Sequence, residues 1–406
     1  MINKKTGERI DRLSKEYIDD MKRISDFIFK NPELGGEEHV SCRYLADIAE
    51  DMGFDVTDNY CDLETSFMAE LNNGEGATLG VIVEYDALPG FGPDGTPAHA
   101  CGHNWISAVG MGTAMIINSL RDDFKGRLRI IGTPAMENRG CKAEMIKAGA
   151  FDDVDVVLQS HLEQYTTIRS RLMALDAMRF EFRGRASHAA ASPDQGINAL
   201  DSVQFMFMGI NALRQYLNPD VKINGIVCEG GESPSTIPGS AACEFYIRAN
   251  SRKYLEEIRP RIIRCAEGAA LMAGTEVNTS YFENSCDNIL NTPALDKMAL
   301  EYIEGEGIEL SDESEVTGGM SSSDIGNVSH VCPTLYMEFD VEADGRFRVH
   351  DESALEYVNS EFAWKKLIQV SRIMAKALME LFNNRELLER VKKEHNSILR
   401  NNAVGK

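Results

Sequence analysis

Apolar side chains recur at steps of three and four residues near the start of the chain, the spacing of one face of an amphipathic helix. The members of this face are Ile10, Leu13, Tyr17, Met21, Ile24 and Ile28. Because Asn31-Pro32 ends the run, one amphipathic helix is predicted there. A second helix is predicted over residues 40–52, where Gly53 ends the pattern, and a strand opens at Phe54.

Between residues 78 and 158, short apolar runs alternate with helical segments. The runs at residues 78–84, 127–132 and 154–158 have the length and the Val, Ile and Leu content of buried strands. Helices are predicted between them, at residues 106–120 and 142–147. Apolar strands that alternate with helices are typical of a mostly parallel sheet covered on both faces. The pattern therefore predicts an α/β fold for this part of the chain.

The pattern changes at about residue 175. Met178, Phe180 and Phe182 alternate with charged residues, which predicts a strand that is exposed on one face. The elements predicted next are helices at 197–216 and 254–272 and strands at 223–228, 241–249 and 276–282. Together they predict a self-contained α+β domain, in which two helices cover one face of an antiparallel sheet.

The α/β pattern resumes after this block, with a predicted strand at residues 331–339 and a long helix at residues 361–381. The α+β domain is therefore predicted to be inserted into the α/β domain. The predicted boundaries are residues 1–175 and 289–406 for the α/β domain and residues 176–288 for the insertion. The charged tail beyond Asn383 is interpreted as a solvated segment that is helical or frayed.

The composition is that of a folded protein with more than one domain. Its 406 residues are 43% hydrophobic and 26% charged, and a domain usually has about 100–200 residues. The 64 acidic and 42 basic residues give a net charge of −22, and so acidic a surface repels phosphate groups. We therefore expect neither nucleic acid nor a membrane as a partner. Since no apolar run suits a signal peptide or a membrane span, and the nine cysteines have no regular spacing, a cytoplasmic protein is expected.

Polar clusters follow the predicted strands, at the edge of an α/β sheet where ligands bind. EYDALP follows one strand and leads to HACGHN, TPAMEN follows the next, Ser160-His161 the third, and His350 the late strand. Thiolate, imidazole and carboxylate together suit Zn²⁺, Mn²⁺, Co²⁺ or Ni²⁺. Taken singly, Cys101 could be a core thiol, His161 could bond a backbone carbonyl, and HACGHN could be a turn into a helix. Their placement at successive strand ends favours a metal site.

Several motifs occur in one order along nearly the whole chain. They are NPEL with Glu37-Glu38, EYDALPG, HACGHN, GTPAxE, the GAFDDVDVV run with a later histidine, ASHAAA with GINALD, and SSDIGNVS. Together they resemble the M20 family of metallopeptidases and amidohydrolases, in particular its aminobenzoyl-glutamate hydrolase-like and dipeptidase-like branch. The resemblance implies an α/β catalytic domain with an inserted dimerisation (lid) domain. It also implies a homodimer that hydrolyses an amide bond in a small N-acyl amino acid, dipeptide or related amide.

The resemblance further implies a site with two divalent metal ions. Cys101 would bridge the two ions through its thiolate. The other ligands would be His103, Glu137, His161 and His350. Such a pair of ions can polarise an amide carbonyl and lower the pKa of a shared water.

Three further residues match the family pattern, and a fourth departs from it. Asp86 would orient the imidazole of His103, and His188 would reach across the dimer to stabilise the oxyanion at the scissile carbonyl. Arg248 would bind an anionic group, although an outward-facing arginine on an antiparallel strand is an equal alternative. Ser235 stands where relatives carry an asparagine that helps to hold the substrate carboxylate, so the identity of the substrate stays open.

Met136 is the principal departure from the family pattern. It occupies the position of the glutamate that acts as general base, and methionine cannot transfer a proton. Loss of a general base typically costs on the order of 10²–10⁴ in rate. Three alternatives follow: Glu163 has taken over the proton transfer, the substrate or the metal centre works without a separate base, or the chain is a catalytically silent binding protein.

Overall fold

Residues 2–312, 316, 321–341 and 347–403 are described by the computed structural model, and they belong to two units. The larger unit comprises Met1–Ser170, Ile289–Met320 and Asn327–Lys406. The smaller unit comprises Arg171–Asn288 and Ser321–Gly326. The chain thus leaves the larger unit for one long segment and later for a short one.

The first part of the larger unit mixes helices with strands. In chain order these are α1 (Lys4–Glu16), α2 (Ile18–Lys30), α3 (His39–Asp51), β1 (Asp55–Asp58), β2 (Phe67–Asn72), β3 (Ala77–Val83), α4 (His103–Asn118), β4 (Gly126–Gly132), α5 (Lys142–Lys147) and β5 (Val156–Glu163). The single helix predicted near the start is divided at Tyr17, whose backbone has φ −92° and ψ 2°. Ile10 and Met21, on either side of the break, are both fully buried. The apolar face therefore continues across the break, which its spacing does not reveal.

The smaller unit is built on an antiparallel sheet. Its elements are β6 (Ala174–Arg183), β7 (Ser187–His188), α6 (Ala199–Arg214), β8 (Lys222–Glu229), β9 (Thr236–Ile237), β10 (Ser240–Ala249), α7 (Arg252–Ala273) and β11 (Glu276–Tyr281). Four of the strands lie in the order β11-β6-β10-β8, and each neighbouring pair is antiparallel. Met178, Phe180 and Phe182 of β6 are buried in one cluster with apolar residues of α6 and α7. Arg183 on the same strand is exposed, so the predicted alternation of β6 is confirmed.

The chain then adds further elements, most of them to the larger unit. They are α8 (Pro293–Gly305), α9 (Ile325–Ser329), β12 (Thr334–Asp340), α10 (Glu361–Asn383) and α11 (Arg385–Ala403). The interpretation of the tail as a solvated segment is wrong for one face of α11, because Leu387, Leu388 and Val391 are buried in the core of the larger unit. In the described ranges, no helix is long and apolar enough to cross a membrane.

The strands of the larger unit form a mixed sheet in the order β1-β2-β4-β3-β5-β12. The strands β4, β3, β5 and β12 run parallel, whereas β1 and β2 form an antiparallel edge. β5 extends to Glu163, well beyond the predicted end at residue 158, because the polar Gln159 and Ser160 pair with β12. His161 therefore lies within a strand and not after one.

Helix α4 is packed closely against this sheet. Its residues from His103 to Ile117 are all buried. A Cβ added at Gly110 would lie only 2.4 Å from Cγ1 of Val83 on β3, so this position requires glycine. The packing holds His103, the first residue of α4, close to the carboxyl end of β3, the edge at which ligands bind in such sheets.

Candidate metal centre

Cys101 lies in the turn that leads into α4. Gly102 follows it with φ +80°, a left-handed conformation that glycine adopts without strain. The thiol is almost fully buried, and its Sγ lies 3.5 Å from Nε2 of His161 and 3.3 Å from Nε2 of His350. Burial, together with the nearby Glu137 carboxylate, raises the pKa of the Cys101 thiol well above its usual value. A thiolate at this position therefore needs a positive charge beside it.

His103 is oriented by Asp86. Nδ1 of His103 donates a hydrogen bond of 2.8 Å to Oδ1 of Asp86, so the ring presents Nε2 on its other side. This Nε2 atom is buried and has no hydrogen-bond partner among the described residues. It lies 3.5 Å from Oε1 of Glu137 and 3.9 Å from Oε2 of Glu84, two buried oxygens that also lack such a partner within the described ranges. A cation bound among these atoms would satisfy them.

Asp86 also holds a second ligand-bearing segment. Its Oδ2 accepts a hydrogen bond of 2.8 Å from the backbone N–H of Glu137. One carboxylate therefore fixes the first residue of α4 and the turn after β4 relative to each other. This contact could not be predicted from the sequence, since a backbone donor is present at almost every residue and leaves no signal.

Glu137 and His350 approach Cys101 from two loops. Nε2 of His350 lies 3.5 Å from Oε1 of Glu137. Burial alone would raise the pKa of Glu137, but the neighbouring imidazole of His350 and the positive charge of His103 lower it to about 2. Ala135 and His350 have φ of +54° and +58°, values that are uncommon for residues with a Cβ atom. Such backbone conformations persist where the surrounding structure holds them in place.

His161 lies on β5 with its ring directed towards Cys101. Nδ1 donates a hydrogen bond of 2.6 Å to the carbonyl oxygen of Leu162, which leaves Nε2 for the thiol side. Burial, assisted by the positive charge of His103, lowers the pKa of His161 to about 4. The imidazole is therefore neutral at pH 7, the form in which histidine binds metals.

The ligands predicted from the resemblance thus come together as two overlapping groups. Their members are Cys101, His103 and His161 in one group and Cys101, Glu137 and His350 in the other. Within each group, the ligand atoms all lie within 4.8 Å of one another. Sulfur, imidazole nitrogen and carboxylate oxygen are donors that suit Zn²⁺ and its neighbours in the transition series. The residues present therefore fit divalent cations, and Cys101 belongs to both groups.

The charge around these groups also favours a cation. Burial alone would lower the pKa of His103, but the carboxylates of Asp86, Glu84 and Glu137 raise it to about 10. Lys142 compensates part of this charge, because its Nζ lies 2.6 Å from Oε1 of Glu84 and neither side chain is exposed. This buried ion pair was not predicted from the sequence, where the only signal for it is a lysine at the start of a predicted helix.

Met136 and Glu163 bear on the question of the general base. Met136 is partly exposed, next to the predicted ligand Glu137, and offers no group that transfers protons. Glu163 lies on β5 two residues beyond His161, so the two side chains lie on the same face of the strand. Burial raises the pKa of Glu163 to about 7, and its Oε2 accepts a hydrogen bond of 3.2 Å from the backbone N–H of Gln164. A carboxyl group is therefore present on the ligand-bearing face of β5.

The smaller unit contains the remaining candidate residues. His188 on β7 is exposed, and its Nδ1 accepts hydrogen bonds from the backbone N–H groups of Ala190 and Ala191. Its proton is therefore on Nε2, which can donate. Ser235 is also exposed and lies nearby, since its carbonyl oxygen accepts a hydrogen bond of 2.9 Å from the N–H of Ala189. His188 and Ser235 thus share one surface of this unit.

Arg248 lies on β10, with its guanidinium group 4.9 Å from the centre of the Tyr246 ring. Its Nε atom is buried without a hydrogen-bond partner among the described residues, and burial lowers the pKa of Arg248. The sequence left open whether this arginine is simply solvated or binds an anion. A partly buried guanidinium group with an unsatisfied donor fits the anion-binding alternative better.

Comparison with known proteins defines the class. Residues 81–380 match peptidase family M20/M25/M40, a class of hydrolases. Because this match covers well over half of the chain, the protein belongs to peptidase family M20/M25/M40. The family predicted from the sequence motifs is confirmed.

Two relatives and one solved structure are similar over much of their length. Xaa-Arg dipeptidase of Mus musculus is 30% identical over 408 residues, which cover 97% of this chain and 92% of the relative. One of the subunits of p-aminobenzoyl-glutamate hydrolase of Escherichia coli (strain K12) is 30% identical over 325 residues, which cover 75% of this chain and 67% of the relative. A dinuclear metal-binding M20 peptidase from Bacillus subtilis has a TM-score of 0.67 and 19% identity over 90% of this chain and 99% of that chain. This likeness confirms the predicted fold class.

Proposed function

We propose that the protein is a metal-dependent amidohydrolase that cleaves the amide bond of a small N-acyl amino acid, dipeptide or related amide. The observation that carries the proposal is the convergence of Cys101, Glu137 and three histidines around buried, unsatisfied atoms in a chain of this family. The two overlapping groups would hold two divalent ions, of Zn, Mn, Co or Ni. When bound, such ions polarise the scissile carbonyl and lower the pKa of the attacking water.

The side chains around the ions would orient the ligands. Asp86 keeps His103 in the tautomer that offers Nε2 and anchors the backbone of Glu137, so these two ligands cannot shift independently. The ion pair between Glu84 and Lys142 limits the excess of negative charge beside them. Together these contacts would keep the donor atoms in place before any ion arrives, which reduces the cost of binding.

Glu163 is the proposed replacement for the missing general base. It shares a face of β5 with the proposed ligand His161, so its carboxyl group lies on the same side of the strand as that ligand. In this role Glu163 takes the proton of the water and returns it to the leaving amine. The rival function, a catalytically silent binding protein, is favoured by one observation, the methionine at position 136.

The substrate class is proposed from the relatives and from the smaller unit. The relatives are a dipeptidase and a hydrolase of p-aminobenzoyl-glutamate, and we extend to this chain the class of small amides but neither particular substrate. The unsatisfied guanidinium group of Arg248 would bind an anionic group such as a carboxylate. His188 would donate Nε2–H to the oxyanion, and Ser235, on the same surface, would contact the substrate.

The smaller unit is also the proposed site of homodimer formation. β8 is an edge strand of its sheet, and the side chains of Ile226 and Val227 on it are 64% and 50% exposed. An exposed apolar edge strand is a template for pairing with a strand of another chain. We propose that β8 of a second copy covers it. The cytoplasm is the proposed location, since the nine cysteines lack the regular spacing of a disulfide framework.

Substitution of both Ile226 and Val227 by lysine should produce a monomer at protein concentrations where the wild type is a dimer. Charged side chains on an edge strand oppose pairing, which is how natural sheets protect their edges. Light scattering coupled to size-exclusion chromatography measures the mass. Leu271→Lys is the control, because Leu271 is an apolar residue that is 85% exposed but lies on helix α7 and not on the edge strand. A wild type that is monomeric at all concentrations contradicts the proposal.

Metal analysis combined with a substrate panel tests the proposed function. We expect two ions per chain, hydrolysis of at least one dipeptide or N-acyl amino acid, and loss of that activity after treatment with a chelator. Two outcomes together would instead support the silent binding protein. The protein would bind two ions but hydrolyse no amide, and Cys101→Ser would cause no loss of function.

A further inference from the structure

We propose that Glu38 is a positioning residue that holds the turn carrying Met136 and Glu137 in the shape that the site needs. The inference rests on the proposed function in that Glu137 is a proposed metal ligand. The side chain of Glu38 is fully buried, and its Oε1 accepts a hydrogen bond of 2.6 Å from the backbone N–H of Ala135. This contact joins the loop before α3 to the turn after β4.

Ala135 is the point at which this turn is strained. It is fully buried and has φ +54°, which brings its Cβ atom close to the backbone. Asp86 accepts the N–H of Glu137 two residues further on. Two buried carboxylates thus hold the first and third N–H groups of the turn, and the side chain of Met136 leaves the chain between them.

The loop of Glu38 also fits closely against the turn. A Cβ added at Gly35 would lie 2.4 Å from Oδ1 of Asn138 and 2.9 Å from Cα of Ala135, so only glycine allows this approach. Nδ2 of Asn138 donates a hydrogen bond of 2.9 Å to the carbonyl oxygen of Gly35. Residues 35–38 therefore contact the turn at both of its ends, and we call this arrangement the clamp.

Glu38 does not have the geometry of a general base. Its Oε1 is engaged by Ala135, and its Oε2 accepts hydrogen bonds from the N–H of Gly36 at 2.8 Å and from Oγ1 of Thr65 at 2.7 Å. A base must reach the proton of the attacking water, and this buried carboxylate is surrounded by donors of its own chain. Its effect on the reaction is therefore exerted through the direction of the side chains at positions 136 and 137.

Hydrogen exchange of the metal-free protein tests the clamp independently of the proposed activity. In Glu38→Ala, amides in peptides that cover residues 133–141 should exchange at least about tenfold faster, because the N–H of Ala135 loses its buried acceptor. Peptides that contain Gly36 or Thr65 lose a hydrogen bond to Glu38 as well, and all other peptides of the larger unit should not change. No acceleration at residues 133–141, or an equal acceleration throughout the unit, overturns the inference.

Glu33→Ala is the matched control. Glu33 lies in the same loop and also accepts hydrogen bonds from two backbone N–H groups and one hydroxyl, namely the N–H groups of Val40 and Ser41 and Oγ of Ser41. None of these donors belongs to the turn. Exchange at residues 133–141 should therefore match the wild type, and acceleration equal to that in Glu38→Ala would refute the clamp.

Titration of the same metal-free proteins with Co²⁺, followed by absorbance, connects the clamp to the site. Glu38→Ala should bind Co²⁺ at least about tenfold more weakly than the wild type, as is typical when a group that orients a ligand is lost. Equal affinity despite faster exchange would mean that Glu38 holds the turn without positioning the site, and the inference fails. A wild type that binds no Co²⁺ overturns the proposed function, while the exchange result still decides the clamp. If Glu38→Ala does not fold, Glu38→Gln keeps one acceptor oxygen and should give an intermediate result in both measurements.

Discussion

Cys101→Ser should lose at least one metal ion. Its kcat/KM towards any amide substrate should fall on the order of 10³-fold, because a lost ion removes several kcal/mol of stabilisation of the transition state. Sγ of Cys101 is the only donor atom shared by the two ligand groups. A serine hydroxyl ionises much less readily than a thiol and would bridge two cations poorly. Metal content by mass spectrometry and steady-state kinetics on the same sample measure the two losses.

Cys332→Ser is the control for this experiment. Cys332 is also buried in the larger unit, at 2% exposure, but neither ligand group includes it. Its replacement places a hydroxyl in a buried position and should reduce stability without changing the number of bound ions. Equal metal content in Cys101→Ser and the wild type would show that the thiol is not a ligand.

Met136→Glu should raise kcat towards ordinary dipeptides or N-acyl amino acids by about 10²-fold or more, since it supplies the general base that the family pattern places there. The gain requires that the rest of the site is intact, in particular the turn held by Glu38 and Asp86. Kinetics with a panel of amides measure the effect. If the substitution abolishes activity towards the native substrate, Met136 shapes the pocket for a different chemistry.

Two further variants show whether the gain comes from proton transfer. Met136→Gln has a polar side chain of similar size that cannot act as a base, and it should give no gain. Glu163→Gln should reduce the activity of the wild type strongly but have little effect in the Met136→Glu background, where the base is supplied twice. Equal losses in the two backgrounds would show that Glu163 does not transfer the proton.

The degree to which the fold could be predicted depends on the burial of each element. β3 and β4 are covered on both faces, so they appear in the sequence as apolar runs and were predicted close to their observed positions. In β2 the buried residues are Phe67, Ala69 and Leu71, an alternation too short to distinguish from other structures. The segment of α11 was predicted to be solvated because it is highly charged. A helix that buries only one face needs few apolar residues, so this charge did not reveal its buried face.

The candidate site could be predicted in its residues but not in its connections. The family resemblance names Cys101 and His161, and the structure brings their side chains to 3.5 Å from each other. The pairs that support them join positions that are 58 residues apart, for Glu84 and Lys142, and 97 residues apart, for Glu38 and the amide of Ala135. Such contacts depend on the folded path of the chain, and no local pattern encodes them.

During synthesis, helix α4 leaves the ribosome long before the segments that cover it. Nε1 of Trp105 donates to the carbonyl oxygen of Ala363, and Nδ2 of Asn104 donates to that of Val358, both near the far end of the chain. At ~5–20 residues per second, the delay is on the order of tens of seconds. In this interval α4 can already pack against α2, β3 and β5, but the side that the late segments cover has no partner yet. The ligand group that contains His350 can therefore be completed only late in translation, whereas Cys101, His103 and His161 are all synthesised much earlier.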